Sequence, residues 1–141
     1  GKEYEVLTLG PISVLPQYQR KGIGGRMIEY LKTEARNMGF RAILLCGDPD
    51  YYLRQGFVTA ERLGIRTSND MYVTALHVCE LYEGALKGIE GRYFEDAAYE
   101  IDETAAARFD RTFPHKELVS GTPSQKRFEQ IVALRREAGP K

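Results

Sequence analysis

The stretch Gln17-Tyr18-Gln19-Arg20-Lys21-Gly22-Ile23-Gly24-Gly25 gathers glycines and cations at one point of the chain. Bare backbone amides beside positive charge suit an anion, above all a phosphate. A helical pattern starts here, so the positive end of a helix dipole adds to the attraction. Arg20, Lys21 and Arg26 bring charge to the same end. A Walker loop needs Gly-Lys followed by Ser or Thr to hold magnesium, and no such hydroxyl is present. A dinucleotide loop needs Gly-x-Gly-x-x-Gly, which glycines at 22, 24 and 25 do not satisfy. What remains is a loop whose amides open a helix N-terminus, which suits a pyrophosphate.

Other side chains with chemical potential are few. The two cysteines, Cys46 and Cys79, have neither redox nor zinc spacing and read as reduced, buried thiols. Cys46 reads as core rather than nucleophile, because no neighbour in sequence would lower its pKa. Of the two histidines, His77 lies in the apolar run YVTALHV and His115 follows Phe113-Pro114. The first reads as packed and the second as exposed, and no metal is expected. Lys126, Arg127, Arg135 and Arg136 read as a solvated helix face. The 141-residue chain balances 20 basic against 20 acidic residues, which argues against nucleic acid or an acidic membrane surface as partner. No apolar run is long enough to span a bilayer. The start, GKEYE, lacks a signal peptide's apolar core, so a cytoplasmic location is expected.

The elements that must position the loop follow from periodicity. Residues 4–9 read as a strand, interrupted by Gly10-Pro11 and resuming over 12–14. A helix is predicted from Gly22 to about Met38, burying Ile23, Met27, Leu31, Ala35 and Met38 with Ile28 beside them. Arg26, Glu29, Lys32 and Arg36 would face elsewhere. Ala42–Cys46 reads as a central strand covered on both faces, completing a parallel β–α–β unit. A short helix over about 49–55 follows, capped by Asp48 with Pro49 at its first position. Residues 57–60 read as a strand, 61–70 as a loop, 71–79 as one strand, 82–91 as a long turn and 92–94 as an edge strand. Helices are expected over about 103–112, capped by Asp102, and from Thr122 through Phe128, Ile131, Val132 and Arg135. The last residues, 138–141, are expected to fray. The division expected is a core over 1–100 and a helical extension over 101–141.

Residues 12–24, ISVLPQYQRKGIG, resemble the acetyl-CoA-binding motif of the GNAT superfamily of N-acetyltransferases. That motif is a strand ending in Val-x-Pro, then Gln or Arg, two residues, Gly, any residue, and Gly or Ala. Downstream, Tyr52-Leu53-Arg54-Gln55-Gly56-Phe57 resembles the superfamily's second signature, and residues 70–94 resemble a bacterial branch of it. The resemblance implies an α/β fold, a GNAT-type mixed sheet with flanking helices, whose central parallel strands splay apart. It implies acetyl-CoA as co-substrate. The pantetheine arm would lie along Ile12, Ser13 and Val14, and the pyrophosphate on Gln19, Arg20, Lys21, Gly22, Ile23, Gly24 and Gly25. Acetyl transfer to a primary amine by direct attack is implied, with Tyr52 as general acid and Tyr51 as the adjacent competitor. The alternative is an acyl-CoA-binding module without turnover. The base stays open among Glu5, Thr8, Ser13 and a water chain. The resemblance covers residues 4 to about 80 and lacks the superfamily's first strands and helices. A fragment of a longer protein is the expectation, ahead of a fold completed by a partner segment or second copy and of a short native form. Self-association through an exposed sheet edge and helix face is expected accordingly.

Overall fold

The computed structural model describes residues 1–138. In chain order the elements are β1 Leu7–Thr8, α1 Ile23–Asn37, β2 Ala42–Cys46, α2 Pro49–Tyr52, β3 Val58–Thr59 and β4 Ile65–Arg66. Then come β5 Met71–Val73, β6 Leu76–Glu80, β7 Gly91–Arg92, α3 Glu103–Asp110, α4 Pro123–Ala133 and β8 Arg135–Glu137. The main sheet has the order β1-β2-β6-β3, with β1 parallel to β2 and the other pairs antiparallel. Two small ribbons, β4 with β7 and β5 with β8, flank it.

The β–α–β unit forms as expected, and β2 is central and buried along Ala42–Leu45. β1 is much shorter than the 4–14 strand read from sequence. Leu7 lies opposite Ile43 and Thr8 opposite Leu44, and the Leu9 amide adds a last bond to Leu44 O at 2.8 Å. Of the two outcomes expected at Gly10-Pro11, a strand bent or splayed, the chain takes the second: pairing ends there and residues 12–14 run on without a ladder. The two strands part at this point.

The rotation of α1 corrects the sequence pattern. Ile28, Lys32 and Ala35 are buried, whereas Met27, Leu31 and Met38 are 41%, 40% and 70% exposed. Lys32 explains the difference. Its Nζ donates to Glu29 Oε1 at 2.8 Å and to the Gln55 carbonyl, 5.3 Å over the Phe57 ring. An ammonium with two acceptors and a ring beneath it can occupy a buried position that pattern reading reserves for apolar residues.

Three further expectations change. Residues 61–70 are not loop throughout: a 3-10 turn, Ala60–Leu63, leads into β4, which pairs with β7 at Ile65 and Gly91. The single strand 71–79 is two, β5 and β6, separated at Thr74-Ala75, where the Thr74 amide bonds Leu134 O at 3.0 Å. The last helix stops at Ala133, and Arg135 lies in β8, opposite Val73. The capping box at its start is present, Gln125 N on Thr122 Oγ1 at 3.3 Å and Thr122 N on Gln125 Oε1 at 3.0 Å. Arg127 and Arg136 are not simply solvated: Arg127 binds Asp48 and Asp50, and Arg136 binds Glu61 and stacks on Tyr72. Ala138 is tied by its amide to Asp70 O at 3.3 Å, while the expected fraying of Gly139, Pro140 and Lys141 lies outside the described residues.

Candidate functional site

The glycine loop sits where the chain turns from the freed end of β1 into α1. Gly22 caps the helix in the left-handed region at φ 72°, and Arg20 is also left-handed at φ 60°. The first helical bond is Arg26 N to Gly22 O at 3.1 Å. Among the described residues the amides of Arg20, Lys21, Gly22, Ile23, Gly24 and Gly25 donate to nothing. Space beside Gly22 is open, for a Cβ there would meet no atom within 4 Å. Gln19 turns back, its Nε2 donating to Val14 O at 2.9 Å. The amides of Ile12, Ser13 and Val14 also donate to nothing among the described residues.

Gly24 and Gly25 have a second purpose that the motif alone did not reveal. A Cβ on Gly24 would lie 2.7 Å from Tyr51 Oη and 3.9 Å from Val14 Cγ2, and one on Gly25 would lie 3.0 Å from Gln55 Oε1. The chain around α2 thus packs directly on the first turn of α1. Asp48 builds that element: its carboxylate accepts from Asp50 N at 2.9 Å, Pro49 opens the helix, and Gly56 ends the following 3-10 turn at φ 78°. Arg127, hydrogen-bonded to Asp48, lowers the pKa of that carboxyl. Side chains from the sheet and both helices therefore meet around Tyr51 and Tyr52.

The two tyrosines point differently. Tyr51 places its hydroxyl at Gly24, beside Val14. Tyr52 lays its ring over Gly47, edge-on to Tyr51 and Phe57 at 5.0 and 5.8 Å, with His77 at 6.1 Å. Burial, then the neighbouring Tyr51, raises the Tyr52 phenol above its ordinary pKa. His77 is packed, as expected. It is fully buried, and its Nδ1 lies 2.7 Å from the Ala75 carbonyl, to which it must donate. The Nε2 of His77 is buried with no partner among the described residues, and burial lowers the imidazole's pKa.

On the sheet face away from α1, Thr8 hydrogen-bonds the Tyr93 phenol. Burial pushes that phenol up to about 12. Cys46 overturns its expected burial: as the last residue of β2 it is exposed, and only Cys79 is buried. Partial burial and the Glu95 carboxylate raise the Cys46 pKa, so the thiol is no ready nucleophile. Of the base candidates, Glu5 and Ser13 are exposed and Thr8 is engaged by Tyr93. Two surface hollows lie away from the strand gap. One of ≈ 400 Å³ runs along the outer side of α1 past Met27 and Leu31, and one of ≈ 310 Å³ lies around Tyr4 and Arg41. Among the described residues no cluster of three or more His, Cys, Asp or Glu is gathered for a metal, and no helix is long and apolar enough to cross a membrane.

Comparison with known proteins points the same way as this geometry. Residues 1–59 match the acetyltransferase (GNAT) domain family. YjhQ of Escherichia coli (strain K12), an uncharacterized N-acetyltransferase, is 41% identical over 49 residues, 35% of this chain and 27% of its own length. YhbS of the same strain, also an uncharacterized N-acetyltransferase, is 25% identical over 91 residues, 64% of this chain and 54% of its own. The matches thus span about a quarter and about half of these relatives. The crystal structure of Escherichia coli YhbS in complex with CoA shares the fold, with a TM-score of 0.62 at 23% identity over 67% of this chain and 53% of that one. A mixed sheet with parallel strands that part beside a glycine loop, and a match to the acetyltransferase (GNAT) domain over residues 1–59, give this chain the fold of the CoA-bound neighbour and a first part similar to that family.

Proposed function

We propose that this chain carries the acyl-CoA side of an N-acetyltransferase that moves an acetyl group from acetyl-CoA to a primary amine. The observation that carries the reading is the run of unsatisfied amides over residues 20–25, exposed over 20–22 and half-buried over 23–25, at a helix start. Arg20, Lys21 and Arg26 add positive charge there, fitting a pyrophosphate. The CoA bound in the YhbS structure supports the same assignment.

Acetyl-CoA, when bound, supplies an acyl group activated as a thioester. The amides of Ile12 and Val14, free of a ladder, pair with the pantetheine arm as an added strand would. One of them faces the acyl oxygen and stabilises the charge that develops on it. Gln19 fixes the Val14 carbonyl and so the path of this segment. Tyr52 gives its phenolic proton to the departing sulfur. Burial raises the Tyr52 phenol above its ordinary value, which keeps it protonated and able to donate as the thiolate departs. The amine nitrogen forms the new N–C bond as C–S breaks, and its surplus proton passes to water.

Calorimetry with acetyl-CoA tests the binding half, with Gly22→Asp as the control because nothing else packs on that position. Saturable binding lost in the control is expected. No binding by the folded chain would overturn the assignment of the loop. Thiol release on adding amines tests the transfer, and binding without release would leave an acyl-CoA-binding module.

A further inference from the structure

Gly47 and His77 stand beside Tyr52, and both are buried. They share one acceptor: the Ala75 carbonyl takes Gly47 N at 2.9 Å and His77 Nδ1 at 2.7 Å. Gly47 is not in the left-handed region, so its backbone has no need of a glycine. The Tyr52 ring does. A Cβ on Gly47 would lie 2.7 Å from Tyr52 Cδ2 and 3.3 Å from Leu45 Cδ1. The amide of residue 47 is tied to the sheet and cannot retreat from the ring. Tyr52 is equally fixed, its amide on Asp48 O at 3.1 Å and its carbonyl taking Phe57 N at 3.2 Å.

His77 closes this seat from the side. It stands on the α1 face of the sheet, opposite Leu45 in β2 and Thr59 in β3, with its ring 6.1 Å from that of Tyr52. Packing alone does not account for a histidine here. With the Nδ1 proton given to Ala75, the Nε2 of the neutral ring is a bare acceptor, buried and without a partner among the described residues. An unpaired buried nitrogen costs stability, and a leucine would fill similar space without it. What a leucine could not supply is the bond from Nδ1, which fixes the plane of the ring against which Tyr52 rests. Resting on the acetyl-transfer reading, we propose that Gly47 and His77 are positioning residues for that reaction, holding the Tyr52 phenol where its proton reaches the departing sulfur. Both act through Tyr52 rather than on acetyl-CoA or the amine. A donor held in place serves the transition state more than the binding of substrate, so turnover is what these residues protect.

The test measures thiol release from acetyl-CoA with ethylamine as the acceptor probe, beside acetyl-CoA affinity by calorimetry and the melting midpoint, all on the whole chain. His77→Leu should lower kcat about tenfold while the acetyl-CoA dissociation constant holds within about twofold. Its melting midpoint should be unchanged or higher, which sets stability against turnover at this position. Gly47→Ala, which pushes the ring off its seat, should lower kcat by about tenfold or more. Each loss should vanish in a Tyr52→Phe background, because the group being positioned is then gone. His77→Gln is scored in the same way if His77→Leu does not fold. Full kcat in the folded variants overturns the proposal, as does a loss of the same size with Tyr52→Phe already in place, or a matching loss of acetyl-CoA affinity. No release by the unaltered chain, or none of the release lost in Tyr52→Phe alone, sinks instead the acetyl-transfer reading with Tyr52 as acid, and this proposal with it.

Discussion

At the scale of single residues, the two adjacent tyrosines separate by what each touches. Tyr51 packs its hydroxyl on Gly24, while Tyr52 sits against Gly47, Phe57 and His77. Tyr52→Phe is expected to lower turnover by about a hundredfold or more while acetyl-CoA affinity holds. Tyr51→Phe should do the reverse, moving affinity more than turnover. Steady-state kinetics beside calorimetry decides, and equal loss of both in Tyr52→Phe would remove it from the acid role. Gly24→Ala should weaken acetyl-CoA binding and lower the melting temperature together, because its methyl meets Tyr51. That a glycine loop opens α1 was legible in QYQRKGIGG alone. The reason for Gly24 was not, since the contact comes from a residue far along the chain. His77 carries a pH effect. Its folded pKa lies below the unfolded 6.5, so its contribution is complete above that value and is lost as pH falls through the folded pKa. Urea melts near pH 8 and about pH 5 should show this loss, and His77→Gln should shrink it. Asp48, held low by Arg127, adds stability that is complete above its unfolded pKa of 3.8 and is lost only at more acid pH.

Elements were legible wherever local chemistry decided them. The Asp48 cap, the Asp102 cap and the capping box at Thr122 all form as read, because each closes within a few residues. Failures came where a distant partner decides. β8 exists because β5 accepts it, and the rotation of α1 follows Lys32, whose partner is the Gln55 carbonyl. Lys32 joins α1 to the chain that carries Tyr51 and Tyr52, so its loss should be felt in both stability and function. Lys32→Met leaves that carbonyl without its donor and should cost about 1–3 kcal/mol in denaturant melts. Arg127→Gln at the α4–α2 contact should cost far less, since the pair is largely exposed. The same variant should raise the Asp48 pKa back toward 3.8 in an NMR titration, and an unmoved pKa would deny the contact in solution.

On the scale of the whole molecule, one half of the sheet is tightly knit and the other is left to a ligand. β2 and β6 pair along five residues each, whereas β1 holds β2 through two register pairs and the Leu9 amide. Beyond Leu9 the chain runs from residue 10 to the start of α1 with its amides at 12–14 and 20–25 unspent. The broad plan, parallel strands parting beside a glycine loop, could be read from Gly10-Pro11 and the loop's spacing. The extent of the gap could not, because β1 leaves the pairing at Leu44 while β2 runs on to Cys46 paired only with β6. A ligand laid across this gap would satisfy both runs of amides at once. At a hundredfold excess over its dissociation constant it should add about 2.7 kcal/mol to stability. The gain should not be spread evenly. Hydrogen exchange should slow at Ile12, Val14 and residues 20–25 by more than global stabilisation gives, since these amides have no acceptor in the free chain. Leu44 and Val78, in the middle of the paired sheet, should slow only with the global change. Uniform slowing would mean that acetyl-CoA binds away from the gap, and with it the placement of the pantetheine arm along residues 12–14 would fall.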